Sequence, residues 1–176
     1  MQKNKSLSNV LIRKGKLGDE QGMFELQKMG FKTKNWAYTG SNKVTKAKLE
    51  KMRQQFLKKP CETYSFVAID KKTGKIIGTS QCSFKRTGRL RHRADFGWSM
   101  HPDYQGKGIA TEMLNFGLNY IKKKGFKRAE AEMAIRNKGS WKLALKCGFK
   151  IEGIKKKALL TDDGKYVDTY IVGKIL

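Results

Sequence analysis

The sequence predicts one α/β domain of seven strands and four helices, and three observations carry that prediction. The chain has 176 residues, enough to bury a single core without disulfide or metal staples. Its apolar residues fall into short runs bounded by turn residues and into longer stretches at helical spacing. No repeat, low-complexity tract or linker interrupts them, so residues 1–176 read as one unit. A hydrophobic content of 39% with two prolines fits an ordered protein.

Residues 10–13 are a short apolar segment and predict the first strand. Asp19 is placed to cap a helix that carries Met23, Phe24, Leu26 and Met29 and stops at Gly30. Residues 31–43 have no clear period and hold Phe31, Trp36 and Tyr38, which reads as a loop. Leu49, Met52 and Phe56 recur at helical spacing, and Pro60 stops that second helix. Residues 63–69 and 75–84 flank Lys71-Lys72-Thr73-Gly74, a hairpin signature. Residues 91–100 form another strand. A helix from about Lys107 puts Ile109, Ala110, Met113, Leu114, Gly117, Leu118 and Ile121 on one face, with Gly125 past its end. Residues 127–134 make a strand, 138–147 a short helix closed by Gly148, and the last 25 or so two more strands. The predicted order is β-α-α-β-β-β-α-β-α-β-β.

Composition excludes several classes. Cys61, Cys82 and Cys147 are scattered without metal-ligand spacing, and there are two histidines. That argues against a metal site and for a reducing compartment. No secretory signal or membrane-length apolar run is present. The expectation is a cytoplasmic protein with no membrane partner. The formal charge of +24 invites a nucleic-acid reading. Lysine, however, supplies 31 of the 39 basic residues, whereas bidentate phosphate and base contacts favour arginine. Solvated lysine-rich faces and a polyanionic ligand or partner both stay open.

Residues 100–111 read Met-His-Pro-Asp-Tyr-Gln-Gly-Lys-Gly-Ile-Ala-Thr. A strand ends, two glycines form a loop free of side-chain obstruction, and an amphipathic helix starts at once. The first N–H groups of a helix have no internal partner, and its dipole favours negative charge there. The stretch is thus a pyrophosphate cradle made of backbone, with Lys107 adding a cation, or simply a tight turn. It is neither a dinucleotide fingerprint, because Thr111 stands where the third glycine belongs, nor a P-loop.

Gln105-Gly106-Lys107-Gly108-Ile109-Ala110 resembles the acetyl-CoA motif of the GNAT superfamily of acetyltransferases, Gln/Arg-x-x-Gly-x-Gly/Ala. A second landmark stands in register. Asn137-Lys138-Gly139-Ser140, then Leu143, then Gly148-Phe149, is similar to the family's Asn-x-x-Ser/Ala-x-x-Leu-x-x-x-x-Gly-Phe helix. After it, Glu152-Gly153 and Asp163-Gly164-Lys165-Tyr166-Val167-Asp168 resemble the branch containing the ribosomal-protein N-terminal (alanine/serine) acetyltransferases. The likeness covers roughly residues 10–176.

The resemblance implies a mixed sheet splayed between its fourth and fifth strands, with the pantetheine arm of acetyl-CoA in the split. It places Trp98, Ser99 and Met100 along that arm, with the Met100 N–H as oxyanion donor. Gln105, Gly106, Lys107, Gly108, Ile109, Ala110 and Thr111 would hold the pyrophosphate through their N–H groups. Asn137 would bond the pantetheine amides, cap its helix, or do both. Asp95 stands where this branch carries an acidic residue; it would relay the amine's proton through water, or pair with Arg91 or Arg93 as a surface contact. Many relatives carry a tyrosine general acid where this chain has Ala144. The hydroxyl of Ser140 would take that role, or be only a polar first-turn residue, and Tyr104 is a weaker substitute. Cys147 lacks a histidine to activate it. Lys122 to Lys124 and Lys155 to Lys157 either meet the CoA 3′-phosphate or are solvated ends of elements. The aromatic segment Phe31 to Tyr38 walls the acceptor pocket or caps the core.

The implied activity is direct transfer of acetyl from acetyl-CoA, as cosubstrate, to a primary amine on a small molecule or a protein N-terminus. The rival is a non-catalytic acyl-CoA-binding or RNA- or ribosome-docking module, which Ala144 favours. Weak nucleic-acid or ribosome association through the charge, and a homodimer, are left open.

Overall fold

The hairpin centred on Gly74 shows how local chemistry sets this fold. Gly74 adopts φ +67°, and its N–H donates to the Asp70 carbonyl at 2.8 Å. The Asp70 carboxylate takes the Lys72 N–H at 2.8 Å, so the turn joins β2 (Thr63–Asp70) to β3 (Ile76–Phe84). The computed structural model describes residues 5–32, 45–58, 61–161 and 163–176. The other elements are α1 (Lys5–Ser8), β1 (Val10–Lys14), α2 (Glu20–Lys32), α3 (Lys46–Leu57), β4 (Arg93–Met100), α4 (Ile109–Lys123), β5 (Arg128–Ala134), α5 (Lys138–Lys146), β6 (Lys150–Leu160) and β7 (Tyr166–Ile175). A short 3₁₀ turn at Pro102–Tyr104 lies between β4 and α4.

The seven strands form one sheet in the order β1-β2-β3-β4-β5-β7-β6. Every pairing is antiparallel except β4 with β5, and α4 supplies the crossover that parallel neighbours need. Alternation along the strands gives the sheet two faces. Val67 packs with Met23, Phe24 and Met52 of α2 and α3; Phe66, Phe96, Ala131 and Met133 pack with Leu114 and Leu118 of α4 and Ala144 of α5. At Gly117 a Cβ would stand 2.9 Å from the Phe66 ring, so glycine lets α4 lie close on the sheet.

The predicted splay is present. β4 and β5 share three register pairs, Arg93 with Arg128, Ala94 with Ala129 and Asp95 with Glu130. Beyond them β4 continues along β3 to Met100, while β5 continues along β7 to Ala134. Charged side chains stitch the closed end. Glu130 accepts from Arg128 at 2.6 Å and pairs with Arg93 at 3.3 Å, and Arg128 also pairs with Glu152 of β6.

Several boundaries differ from expectation. The first predicted helix runs past Gly30 to Lys32, because glycine inside a helix is a cost and not a stop. Asp19 precedes that helix, and its carbonyl accepts from Met23 N–H. Its carboxylate turns back to Arg13 at 2.6 and 2.8 Å and to the Lys16 N–H, an ion pair that outweighs a neutral cap. The four-residue α1 carries no helical period and was not foreseen. α4 starts at Ile109, after the second glycine. The Lys155 to Lys157 triplet is not an element end. It lies within β6, where Lys155 pairs with Glu132 and Lys156 with Asp168. The loop expected over 31–43 lies outside the described residues beyond Lys32, as do Pro60 and the aromatic wall through Trp36 and Tyr38.

Candidate active site

The start of α4 is open by construction. Gly106 and Gly108 sit at φ +72° and +82°, and a Cβ at either would meet nothing within 4 Å. Gly108 is the N-cap residue and no side chain caps the helix. The first helical bond runs from Glu112 N–H to the Gly108 carbonyl at 3.2 Å, so the N–H groups of Ile109, Ala110 and Thr111 precede it. Three donors and the positive end of the helix dipole are therefore concentrated there.

The loop before this helix is held from both sides. His101 Nδ1 accepts the Asp103 N–H, and Gln105 Nε2 donates to the Met100 carbonyl at 3.4 Å. The Tyr104 hydroxyl donates to the Asp70 carboxylate at the end of β2. That bond holds the phenol proton and raises its pKa above the ordinary value.

The strand register decides where β4 points its backbone. His101 N–H donates to the Ile77 carbonyl at 2.8 Å, and Met100 is paired with Gly78. Antiparallel strands alternate the direction of their backbone groups. Residues 99 and 101 thus turn theirs to β3, whereas 98 and 100 turn theirs toward β5, which has diverged. The Met100 N–H faces the split.

A cleft of about 650 Å³ occupies that split, within the range of small-molecule sites. Of the expected residues, Trp98, Ser99, Met100, Gln105, Gly106, Gly108, Ala110, Thr111, Asn137 and Ser140 line it. Lys107 and Ile109 do not. Ile109 is buried against Ala68, Ile77 and Met113, and Lys107 lies 5.1 Å from the centre of the Tyr104 ring. Their backbone groups stand at the open helix start while their side chains serve the core and the loop.

On α5, Asn137 accepts the Ser140 N–H at 3.2 Å and is the helix N-cap. Its carbonyl oxygen is thus engaged, and its amide donors are what a ligand would meet. Ala144 is fully buried in the core, so this position turns away from the cleft. Cys147 is also buried, and burial raises its thiol pKa, which leaves little thiolate for nucleophilic work. The Trp98 indole N–H is buried without a hydrogen-bond partner among the described residues.

Asp95 is outside the cleft lining, in the last register pair before the split, opposite Glu130. Burial raises its pKa above the usual carboxylate range, the neighbouring Glu130 carboxylate raises it further, and Arg93 pulls it partly back. Arg93 itself bonds Glu130.

Sequence reasoning missed Gln27, Thr79, Gln81, Glu132, Lys142 and Lys146, all of which line the cleft. A signal for two of them existed. Gly139, Lys142, Leu143 and Lys146 recur at helical spacing on the motif helix, so one face of α5 carries both lysines. Glu132 alternates with buried Ala131 and Met133 along β5, which marks it as a polar residue on the opposite sheet face.

Comparisons with known proteins agree with this geometry. The profile of the acetyltransferase (GNAT) domain family matches residues 9–150. The crystal structure of ribosomal-protein-S5-alanine acetyltransferase from Vibrio fischeri superposes with a TM-score of 0.80 at 28% identity, covering 95% of this chain and 93% of that one. A GNAT superfamily phosphinothricin acetyltransferase from Sinorhizobium meliloti, solved in complex with acetyl-CoA, shares the fold with a TM-score of 0.81 at 20% identity, over 96% of this chain and 89% of that one. The L-amino acid N-acetyltransferase AaaT of Escherichia coli is 29% identical over 106 residues, which cover 58% of this chain and 63% of the relative. The chain therefore spans less than two thirds of the curated relatives it matches.

Proposed function

The chain belongs to the GNAT acetyltransferase family, and on that footing we propose that it transfers acetyl from acetyl-CoA directly to a primary amine in a ternary complex. The observation that carries this reading is the uncapped start of α4 opening onto the split between β4 and β5. The N–H groups from Gly106 to Thr111 bind the pyrophosphate, with Lys107 as added charge; the Gln105 N–H, expected among them, instead donates to the Pro102 carbonyl at 3.1 Å. The backbone groups of Trp98 and Met100 pair with the pantetheine arm, while those of Ser99 turn to β3, and the Asn137 amide donates to the arm. The Met100 N–H stabilises the oxyanion that forms when the amine adds to the thioester. The Ser140 hydroxyl assists the departing thiolate, which needs modest help because a thiol titrates near roughly 8.5.

An alkyl primary amine has a pKa of about 10 and a protein N-terminus one of about 8, so the protonated acceptor must lose its proton to attack. In this reading Asp95 takes it through water, since it stands one register step below the cleft. Its raised pKa makes it a stronger base than an ordinary carboxylate. Direct attack is supported by the burial of Cys147 and its raised thiol pKa. The relatives act on different acceptors by name, so the acceptor is proposed as a class, a small amine or a protein N-terminus. Three unpaired cysteines fit a cytoplasmic setting. The +24 charge adds weak contact with nucleic acid or the ribosome that disappears near physiological salt.

The test is thiol release from acetyl-CoA against an amine panel, in wild type and Asp95→Asn. Wild type is expected to release CoA with at least one amine; silence across the panel supports a binding module instead. Asp95→Asn is expected to lose about 10²–10⁴-fold in rate at neutral pH, with a loss that shrinks as pH rises. Equal rates across the pH range would remove Asp95 from the mechanism. Stability supplies an independent sign. A carboxyl whose folded pKa is raised stabilises most below its unfolded pKa and loses that contribution as pH rises through the folded value. Asn cannot ionise, so the variant's Tm at neutral pH is expected to equal or exceed that of wild type.

A further inference from the structure

The two sheet faces that meet in the cleft differ in chemistry. On the α4 and α5 side stand the helix-start donors and the cations Lys142 and Lys146, suited to an anionic cosubstrate. On the α2 side the lining is Gln27, Thr79, Gln81, Gly97, Ser99 and Glu132. Glu132 is the one carboxylate among the described residues that line the cleft. Register and alternation put it on the face of Thr79 and Gly97, because Asp95 pairs with Glu130 and Thr79 with Ser99.

Glu132 is held in place before any ligand arrives. One carboxylate oxygen accepts from the fully buried Thr169 hydroxyl at 2.6 Å. The other meets the ammonium of Lys155 at 2.6 Å, and the Lys155 side chain is 54% exposed. An internal ammonium thus already occupies the place where a ligand ammonium would bind, and it is free to swing into water. A second observation points the same way. The Gln27 Oε1 is buried and has no hydrogen-bond partner among the described residues, an acceptor that calls for an N–H donor.

We infer that Glu132 recognises the acceptor by binding its ammonium in exchange for Lys155, so that the enzyme selects cationic amines without a carboxylate on the α-carbon. This rests on acetyl transfer to an amine as the reading of the site. Once Lys155 has left for water, a zwitterionic amino acid would bring its own carboxylate beside Glu132, on a wall whose described cleft-lining residues include no lysine or arginine. An amine with a neutral amide in that place suffers no such repulsion.

The experiment compares L-alaninamide with L-alanine in wild type, Glu132→Gln and Lys155→Ala. Glutamine keeps the acceptor for Thr169, so the fold is expected to stand. Wild type is expected to prefer the amide in kcat/KM by about tenfold or more. Glu132→Gln is expected to raise the KM for the amide about tenfold and to shrink that preference, while the KM for acetyl-CoA is unchanged. Lys155→Ala removes the competing cation and is expected to leave the amide KM equal or lower. An unchanged KM and preference in Glu132→Gln overturns the inference, as does a rise in Lys155→Ala as large as that in Glu132→Gln. The thermal shift caused by L-alaninamide in the presence of CoA gives a readout without turnover. Its presence in wild type and loss in Glu132→Gln supports the recognition role; its persistence in Glu132→Gln, or its absence from wild type, overturns it. Absence of CoA release with every amine, by contrast, refutes the transfer reading itself.

Discussion

Two helices present their first turns to the same cleft, and they do so in opposite states. α4 begins at a left-handed glycine with no side-chain cap, whereas α5 begins at Asn137, whose side chain takes the Ser140 N–H. Length and burial explain why each can be so. α4 has 15 residues and buries Ile109, Met113, Leu114, Gly117, Leu118 and Ile121, so tertiary packing stabilises it without a cap. α5 has 9 residues, with Ala144 as its buried one, well under the length at which an isolated helix is even marginal. A cap worth about 1 kcal/mol matters to the second helix and is dispensable to the first. The open start of α4 is thereby available to an outside acceptor of hydrogen bonds, and the packing of its far end is what permits that.

The largest effect is expected from reversing the state of α4. Gly108→Glu puts a negative side chain at the open donors and a Cβ at φ +82°. Strain of about 1–3 kcal/mol lowers the Tm of the free protein. The stabilisation by acetyl-CoA, about 2.7 kcal/mol at a hundredfold excess over Kd in wild type, is expected to vanish. A variant that keeps the full acetyl-CoA shift would put the pyrophosphate elsewhere.

Removing the cap from α5 comes next. Asn137→Ala is expected to cost about 1 kcal/mol, a Tm decrease of about 2–4 °C for a domain of this size. Affinity for acetyl-CoA is expected to weaken less than in Gly108→Glu, because one amide donor is lost and not the whole cradle. Should Asn137→Ala leave Tm unchanged while abolishing binding, the contrast between the helices collapses and Asn137 is a ligand residue alone.

The smallest effect is expected where the loop before α4 is tethered. Tyr104→Phe deletes the hydroxyl that donates to Asp70, at a cost of about 0.5–1.5 kcal/mol. The cradle keeps its glycines, so acetyl-CoA affinity measured by calorimetry is expected to fall only a few-fold. A loss matching that of Gly108→Glu would mean that the tether, and not the glycine geometry, shapes the site.

The cleft was legible in sequence where local geometry makes it and illegible where distant segments meet. Gly106, Gly108 and Asn137 could be read because a left-handed turn and a helix start are properties of a few consecutive residues. The strand periodicity likewise foretold all seven strands. Gln27 and Gln81 could not be read, and Glu132 could be read only as a polar residue of its strand, since the three share a wall only through the order β3-β4-β5 and the packing of α2. Asp95 was named from its motif, but its neighbour Glu130 lies on another strand. Burial raises the Asp95 pKa most, and the carboxyl–carboxyl contact that raises it further is a property of register.

Sequence alone determined the elements, the uncapped helix start and the cap on α5, because these depend on interactions within a turn or two of the chain. Tertiary structure decided the rest. Three register pairs hold β4 to β5 before each strand follows its other neighbour, and that divergence turns a backbone N–H at Met100 into a group facing a cleft. The same divergence sorts the walls, with cations on α5 and, among the described lining residues, one carboxylate on β5. No local pattern encodes that sorting, because burial and charge pairing across a sheet are settled only when strands far apart in sequence come into register.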